Sequence, residues 1–174
     1  MKRFTSALSV VPAALVAFAA FAFSTSAMAA EPEYVRIEMD IDIAKPAAEV
    51  WSKVGGYCDI AKWLPQLACT ISSGDGGVGT VRSLAGGRIK EIMIAQTALG
   101  YGYTQPVVEG QYYILYHGFM EARPVTATTS KMLYTLVYDV SNLADQAAKD
   151  ADMARRRMSF ETALANMKNM AEMP

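Results

Sequence analysis

Residues 49–69 read EVWSKVGGYCDIAKWLPQLAC, and this stretch holds both tryptophans, Trp51 and Trp63, and both cysteines, Cys58 and Cys69, of the chain. Upstream of it, YVRIEMDIDI alternates strictly, with Val35, Ile37, Met39, Ile41 and Ile43 on one side and Arg36, Glu38, Asp40 and Asp42 on the other. That period of two predicts a strand with one wet face. Lys45-Pro46 ends the strand, and Pro46 suits the opening of a helix over AAEVWSKV, which Gly55-Gly56 then stop. A second short helical piece, DIAKWL, starts at Asp59 as its expected N-cap and finishes before Pro65.

Beyond Cys69 the pattern becomes strands punctuated by glycine. ACTISS and GTVRSL flank GDGGV, GRIKEIMIAQTA follows the Gly86-Gly87 turn, and GYGYTQPV, QYYILYHGFMEA and SKMLYTLVYDV complete an antiparallel meander. From Leu143 to about Met173 the period lengthens, with Phe160, Leu164, Met167 and Ala171 at the spacing of a long amphipathic helix. Within it, Arg155-Arg156-Arg157 reads as a solvated face, since Asp152 and Glu161 stand four residues from Arg156 and Arg157. The expected class is therefore α+β: one curved antiparallel sheet of about six to seven strands, two short helices and a long C-terminal helix. A helix laid across the concave side of such a sheet leaves a cavity suited to apolar ligands.

The chain begins with Lys2 and Arg3, an apolar segment from Ala7 to Phe23, and Ala27-Met28-Ala29. This is the tripartite pattern of a secretory signal, with residues 1–29 removed and residues 30–174 forming a single domain. The apolar segment is short for a bilayer span and carries Ser9 and Pro12, so no stable membrane anchor is expected after cleavage. Of 16 basic side chains the leader takes Lys2 and Arg3, leaving 14 against 17 acidic ones, a balance that argues against nucleic acid as a partner. A secreted, periplasmic location lets disulfides persist, and a Cys58–Cys69 bridge is the simplest reading of the only two cysteines. Two thiols and the lone His117 do not complete a zinc site, so neither metal nor cofactor is expected.

Catalytic signatures are scarce. Gly74 to Gly79 match G-x-G-x-x-G, but a strand follows in place of the helix that phosphate binding requires, so a hairpin turn is expected. With one histidine and no G-x-S-x-G, a serine triad is excluded. Glu91 interrupts the apolar strand RIKEIMI, and its two readings stay open: an inward carboxylate able to act as a base, or a residue on an edge strand. Tyrosine is concentrated in the second half of the sheet. In QYYILYHG, Tyr112, Ile114 and Tyr116 share one face if the segment is a strand, giving apolar area with hydrogen-bonding tips.

AAEVWSKVGGYCDIAKWLPQL after an alternating strand and a proline, the later GGRIKE strand, the short hairpins and the terminal helix together resemble the polyketide cyclase/dehydrase and lipid transport superfamily, also called SRPBCC, START-like or Bet v 1-like. The resemblance covers nearly all of residues 34–171 and extends to its exported bacterial branch. It implies a helix-grip fold around a hydrophobic cavity, with Trp51 and Trp63-Leu64-Pro65 as a structural clamp, and it supports the Cys58–Cys69 bridge. It also implies that Glu91 points into the pocket, that Tyr112 is an inward aromatic, and that the Gly86-Gly87 turn and the loop from Pro106 to Gly110 frame the entrance. Two departures from the family pattern bear on the entrance: AQTALG lacks the acidic residue usual after that glutamate, and HGFMEARPVTATTS is extended.

The function expected is that of a periplasmic, monomeric carrier or sensor for a small hydrophobic or aromatic molecule, lipid included. Glu91, Tyr112, Ile114, Tyr116, Phe160, Leu164 and Met167 are the candidate ligand contacts. The alternative is a cofactor-independent cyclase, lyase or isomerase in the same cavity, with Glu91 moving a proton and Tyr112 donating to the developing oxyanion. An interaction module whose cavity is filled by its own side chains is the third reading.

Overall fold

The computed structural model describes residues 31–174, so the expected leader lies outside the described residues. The elements run β1 (Tyr34–Ile43), α1 (Ala47–Val54), α2 (Ile60–Trp63), β2 (Cys69–Ser73), β3 (Val81–Leu84), a single 3-10 turn (Ala85–Gly87), β4 (Ile89–Thr97), β5 (Gly100–Thr104), β6 (His117–Pro124), β7 (Ser130–Asp139) and α3 (Gln146–Glu172). The strands form one antiparallel seven-stranded sheet in the order β1-β7-β6-β5-β4-β3-β2, so the first and last strands close against each other and every other pairing is a hairpin. This is the curved antiparallel sheet with a long terminal helix that the patterning predicts, and the helix-grip arrangement that the family resemblance implies.

Period-two patterning decides which face is covered. On β7, Ser130, Met132, Tyr134, Leu136 and Tyr138 all point inward and are buried, as are Ile37, Met39 and Ile43 on β1. α3 closes the concave side with Ala163, Leu164, Met167 and Ala171, which share one face of the helix. Its N-terminus is capped by Asp145, whose side chain accepts from the Ala148 N–H at 2.8 Å. The helix also serves the open margin of the sheet: Arg157 donates to the Glu38 carbonyl at 3.1 Å, Lys168 donates to the Asp42 carbonyl at 2.7 Å, and Glu172 accepts from the Ala44 N–H at 2.8 Å.

The clamp between α1 and α2 forms as expected. Trp63 is fully buried and donates from its indole N–H to the Val54 carbonyl at 3.3 Å, while its own carbonyl accepts from Asn166 of α3 at 3.0 Å. Trp51 packs on Tyr101 with ring centroids 5.7 Å apart. An added Cβ at Gly55 would lie 2.4 Å from the Trp51 ring, so the chain can reverse there only with glycine. Cys58 and Cys69 form a disulfide with a Cα–Cα distance of 5.4 Å, tying the turn between the helices to the start of β2.

Four local expectations are corrected. Asp59 does not cap α2; its carboxylate accepts from the Gly56 N–H at 2.9 Å and pairs with Lys62 at 2.8 Å. The strand expected over QYYILYHGFMEA begins only at His117, and residues 105–116 form a loop, because Pro106 has no N–H for a ladder and Gly110 and Leu115 take left-handed φ values of 75° and 46°. Tyr112, Ile114 and Tyr116 therefore do not share a strand face. Arg155 and Arg157 are solvated, but Arg156 turns inward, its guanidinium 4.3 Å from the Tyr138 ring centre and 5.2 Å from that of Tyr116. Finally, side chains meet beneath α3 where open space was expected: Phe160 lies against Tyr134 with ring centres 4.5 Å apart and planes tilted by 41°, Trp63 meets Tyr134 edge-on at 6.4 Å, and Leu164 and Met167 are buried. The G-x-G-x-x-G segment is the β2–β3 turn, as expected, closed by the Gly76 N–H donating to the Thr80 hydroxyl at 2.8 Å.

Candidate functional site: a buried ion pair behind an open pocket

Glu91 faces inward on β4 and is 3% exposed, which resolves its two readings in favour of the buried one. Directly opposite it in the β3–β4 register stands Arg82, which is 0% exposed. The guanidinium reaches Glu91 Oε2 from Nε at 2.8 Å and from Nη2 at 2.6 Å. Nη1 donates to the Tyr57 carbonyl and, at 3.3 Å, to the Tyr101 hydroxyl. Tyr57, Tyr103 and Tyr101 surround the cation at 4.2, 4.9 and 5.6 Å from their ring centres. Burial disfavours the charge on Arg82, but Tyr101 and Glu91 beside it outweigh that and hold it above its ordinary range. Burial also pushes up the hydroxyls of Tyr101, Tyr103 and Tyr134, so all three stay protonated at neutral pH. Tyr103 and Tyr134 share a hydrogen bond of 2.8 Å between their hydroxyls.

The other oxygen of Glu91 accepts from the Gln105 side-chain amide at 3.3 Å. Gln105 is where the buried network meets open space. A pocket of about 700 Å³ lies between the 3-10 turn with the start of β4 on one side and the 105–116 loop on the other. Gln105, Ile89, Val107, Val108, Tyr113 and Ile114 line it, with Arg88, Lys90 and Glu109 also on its walls. Its size falls within the range of small-molecule sites.

Of the residues singled out in the sequence, Tyr112, Ile114 and Tyr116 meet at this pocket, and Glu91 lies behind it through Gln105. Phe160, Leu164 and Met167 belong to the packed centre and do not line it. Glu91 and Tyr112 are not brought together. Tyr112 is 52% exposed and donates its hydroxyl to Asp139 Oδ2 at 2.8 Å. Asp139 also accepts from the Glu33 N–H at 3.0 Å and the Ser141 N–H at 2.8 Å. Burial would raise the Asp139 carboxyl, but the donors from Ser141, Tyr112 and Glu33 outweigh it and hold the group below its ordinary value.

Sequence reasoning missed Arg82 and Gln105. The signal for Arg82 was present: in GTVRSL, Thr80, Arg82 and Leu84 alternate onto one face, and all three are buried. Gln105 carried no such signal, because its place depends on the loop that replaces the expected strand. Among the described residues no group of three or more metal-ligating side chains occurs, and no helix is long and apolar enough to cross a membrane.

Comparison with known proteins places this geometry. The protein-family model described as polyketide cyclase/dehydrase and lipid transport matches residues 34–172. No curated protein sequence matches the chain. Among solved structures, the chain is similar to the Zhui aromatase/cyclase from a Streptomyces species, at 18% identity over 80% of this chain and 94% of that one, with a TM-score of 0.63. It is also similar to XoxI from Bacillus cereus, at 18% identity over 77% and 93%, TM-score 0.62. Ara h 8.0201 is 16% identical over 79% and 99%, TM-score 0.56. At these identities the shared feature is the fold. With the strand order, the terminal helix and a family match spanning nearly all the described residues in agreement, the chain belongs to the polyketide cyclase/dehydrase and lipid transport family.

Proposed function

We propose that the protein is exported to the periplasm, loses residues 1–29, and works there as a monomeric carrier or sensor that binds a small hydrophobic or aromatic molecule. The observation that carries this reading is the pocket of about 700 Å³ whose walls include Ile89, Val107, Val108, Tyr113 and Ile114. Apolar walls with a few placed polar groups are what a site for such a molecule requires. The Cys58–Cys69 disulfide and the leader-like N-terminus support the location.

The family description also covers cyclases, and one structural neighbour is an aromatase/cyclase. The cyclase reading asks Glu91 to take a proton and Tyr112 to stabilise an oxyanion. In this chain both Glu91 oxygens already accept hydrogen bonds from Arg82 and Gln105, and Tyr112 is committed to Asp139. The geometry therefore favours binding.

Titration of the mature protein with the neutral fluorophore N-phenylnaphthylamine tests this. A saturable blue-shifted signal is expected, and Val107→Asp should weaken it about tenfold, because a charge placed in the apolar wall opposes burial of the probe. Val107 is exposed, so folding is unaffected. Failure to saturate, or a Val107→Asp variant that binds as wild type does, would overturn the assignment.

A further inference from the structure

We infer that the molecule bound in this pocket is an amphiphile with an anionic headgroup, held at the rim by Arg88 and Lys90. The inference rests on the binding function proposed above and specifies its ligand. Arg88 and Lys90 both stand on the wall formed by the start of β4, with Ile89 of the same wall between them. Neither enters an ion pair among the described residues, although most of the chain's cations do: Lys45, Lys53, Lys62, Lys131, Lys149 and Lys168 each meet a carboxylate. Among the described residues the Arg88 side chain makes one hydrogen bond, from Nε to the Ala85 carbonyl at 3.1 Å, which fixes its stem and leaves the two terminal nitrogens of the fork open to a ligand.

The opposite wall, formed by the 105–116 loop, is largely apolar. Val107 and Val108 are exposed at the loop apex, and Tyr113 and Ile114 continue the surface inward. One carboxylate, Glu109, also lines the pocket, so the rim carries two cations against one anion. Arg82 is engaged by Glu91, the Tyr57 carbonyl and Tyr101, and Arg156 by Asp152, so among the described residues the cations of the lining are Arg88 and Lys90. Two unpaired cations beside apolar side chains in one pocket fit a molecule that is charged at one end only. A neutral hydrocarbon would leave the two rim cations without a partner, and a cationic amphiphile would face them directly.

The test compares dodecanoate, dodecanol and dodecyltrimethylammonium as competitors of N-phenylnaphthylamine on the mature protein, below their micelle concentrations. Dodecanoate is expected to bind about tenfold more tightly than dodecanol, a difference of about 1.4 kcal/mol, and the cationic amphiphile most weakly. The preference for dodecanoate should shrink as ionic strength rises from about 0.05 to 0.5 M, because rim charges are screened. In an Arg88→Gln/Lys90→Gln double variant, dodecanoate should fall to the affinity of dodecanol while dodecanol is unchanged. Equal binding of dodecanoate and dodecanol by wild type, or equal losses of both in the double variant, would overturn the headgroup assignment and leave the binding function standing. If the fluorophore itself does not bind, both fall together.

Discussion

Arg82 and Glu91 sit opposite each other on β3 and β4, both buried and joined by a salt bridge. Removing one partner strands the other in a medium that cannot solvate it, at a cost of about 3–5 kcal/mol. Glu91→Gln and Arg82→Met are accordingly expected to lower the urea midpoint strongly, and the double variant Arg82→Met/Glu91→Leu should recover most of the loss. If the single variants unfold at the wild-type midpoint, the pair is not the structural unit described. The sequence made half of this pair legible. Glu91 was conspicuous because a carboxylate broke an apolar strand, but whether it faced inward depended on a partner on the facing arm of its own hairpin. Arg82 lay on the inward face of its own short strand, where the alternation with Thr80 and Leu84 announced it, yet a basic residue beside a glycine-rich turn resembles an ordinary surface position.

At the level of elements, the loop of residues 105–116 is joined to the end of β7. Tyr112 donates to Asp139, and the Asp139 N–H donates to the Ile114 carbonyl at 2.6 Å. Because the native carboxyl of Asp139 titrates below its unfolded value, its contribution is fully present above about pH 4 and is lost as pH falls through the native value. Asp139→Asn should therefore be less stable than wild type by about 1–2 kcal/mol at pH 7, with the gap closing below pH 4 in paired thermal melts. A gap independent of pH would show that the charge plays no part. The Cys58–Cys69 bridge is the other element-scale link. Closing a loop with a sequence separation of 11 restricts the unfolded chain by about 3 kcal/mol, so reduction should lower the melting temperature by several degrees, and a melt unchanged by reductant would contradict this. The loop was illegible because Tyr112 to Tyr116 have strong strand propensity, and what prevents a strand is a proline, a positive φ and a hydrogen bond to Asp139 from outside the segment. The helices and hairpins were legible because their periodicity and their glycine or proline boundaries are local.

For the molecule as a whole, element order and patterning were enough to specify one curved sheet gripped by one helix, since a run of strands joined by short turns and a single long C-terminal helix have few ways to bury their apolar faces. The position of the open volume was not legible. Whether a helix stands off a sheet or packs onto it depends on the summed size of the side chains between them, and Tyr103, Tyr134, Trp63 and Phe160 are large enough to fill that space. Leu164→Ala separates a packed centre from a ligand-lined one. It should lower stability by about 2–4 kcal/mol while leaving N-phenylnaphthylamine affinity unchanged, whereas a weakened affinity at intact stability would put the ligand beneath α3.

The side chains that α3 places along β1 bear on how copies of this protein behave near one another. A curved sheet has two margins at which a foreign strand can begin to template, and growth from either seeds insoluble deposits. Along one margin Arg157, Lys168 and Glu172 occupy backbone groups that an incoming strand would need, and these contacts last as long as the helix stays docked. The other margin is β2, only five residues long and anchored at its first residue by Cys69. The two margins are thus guarded by different chemistry. Heat that peels the helix away exposes one of them, a reductant loosens the other, and the deposits seeded by the two treatments should differ in which strand lies at their core.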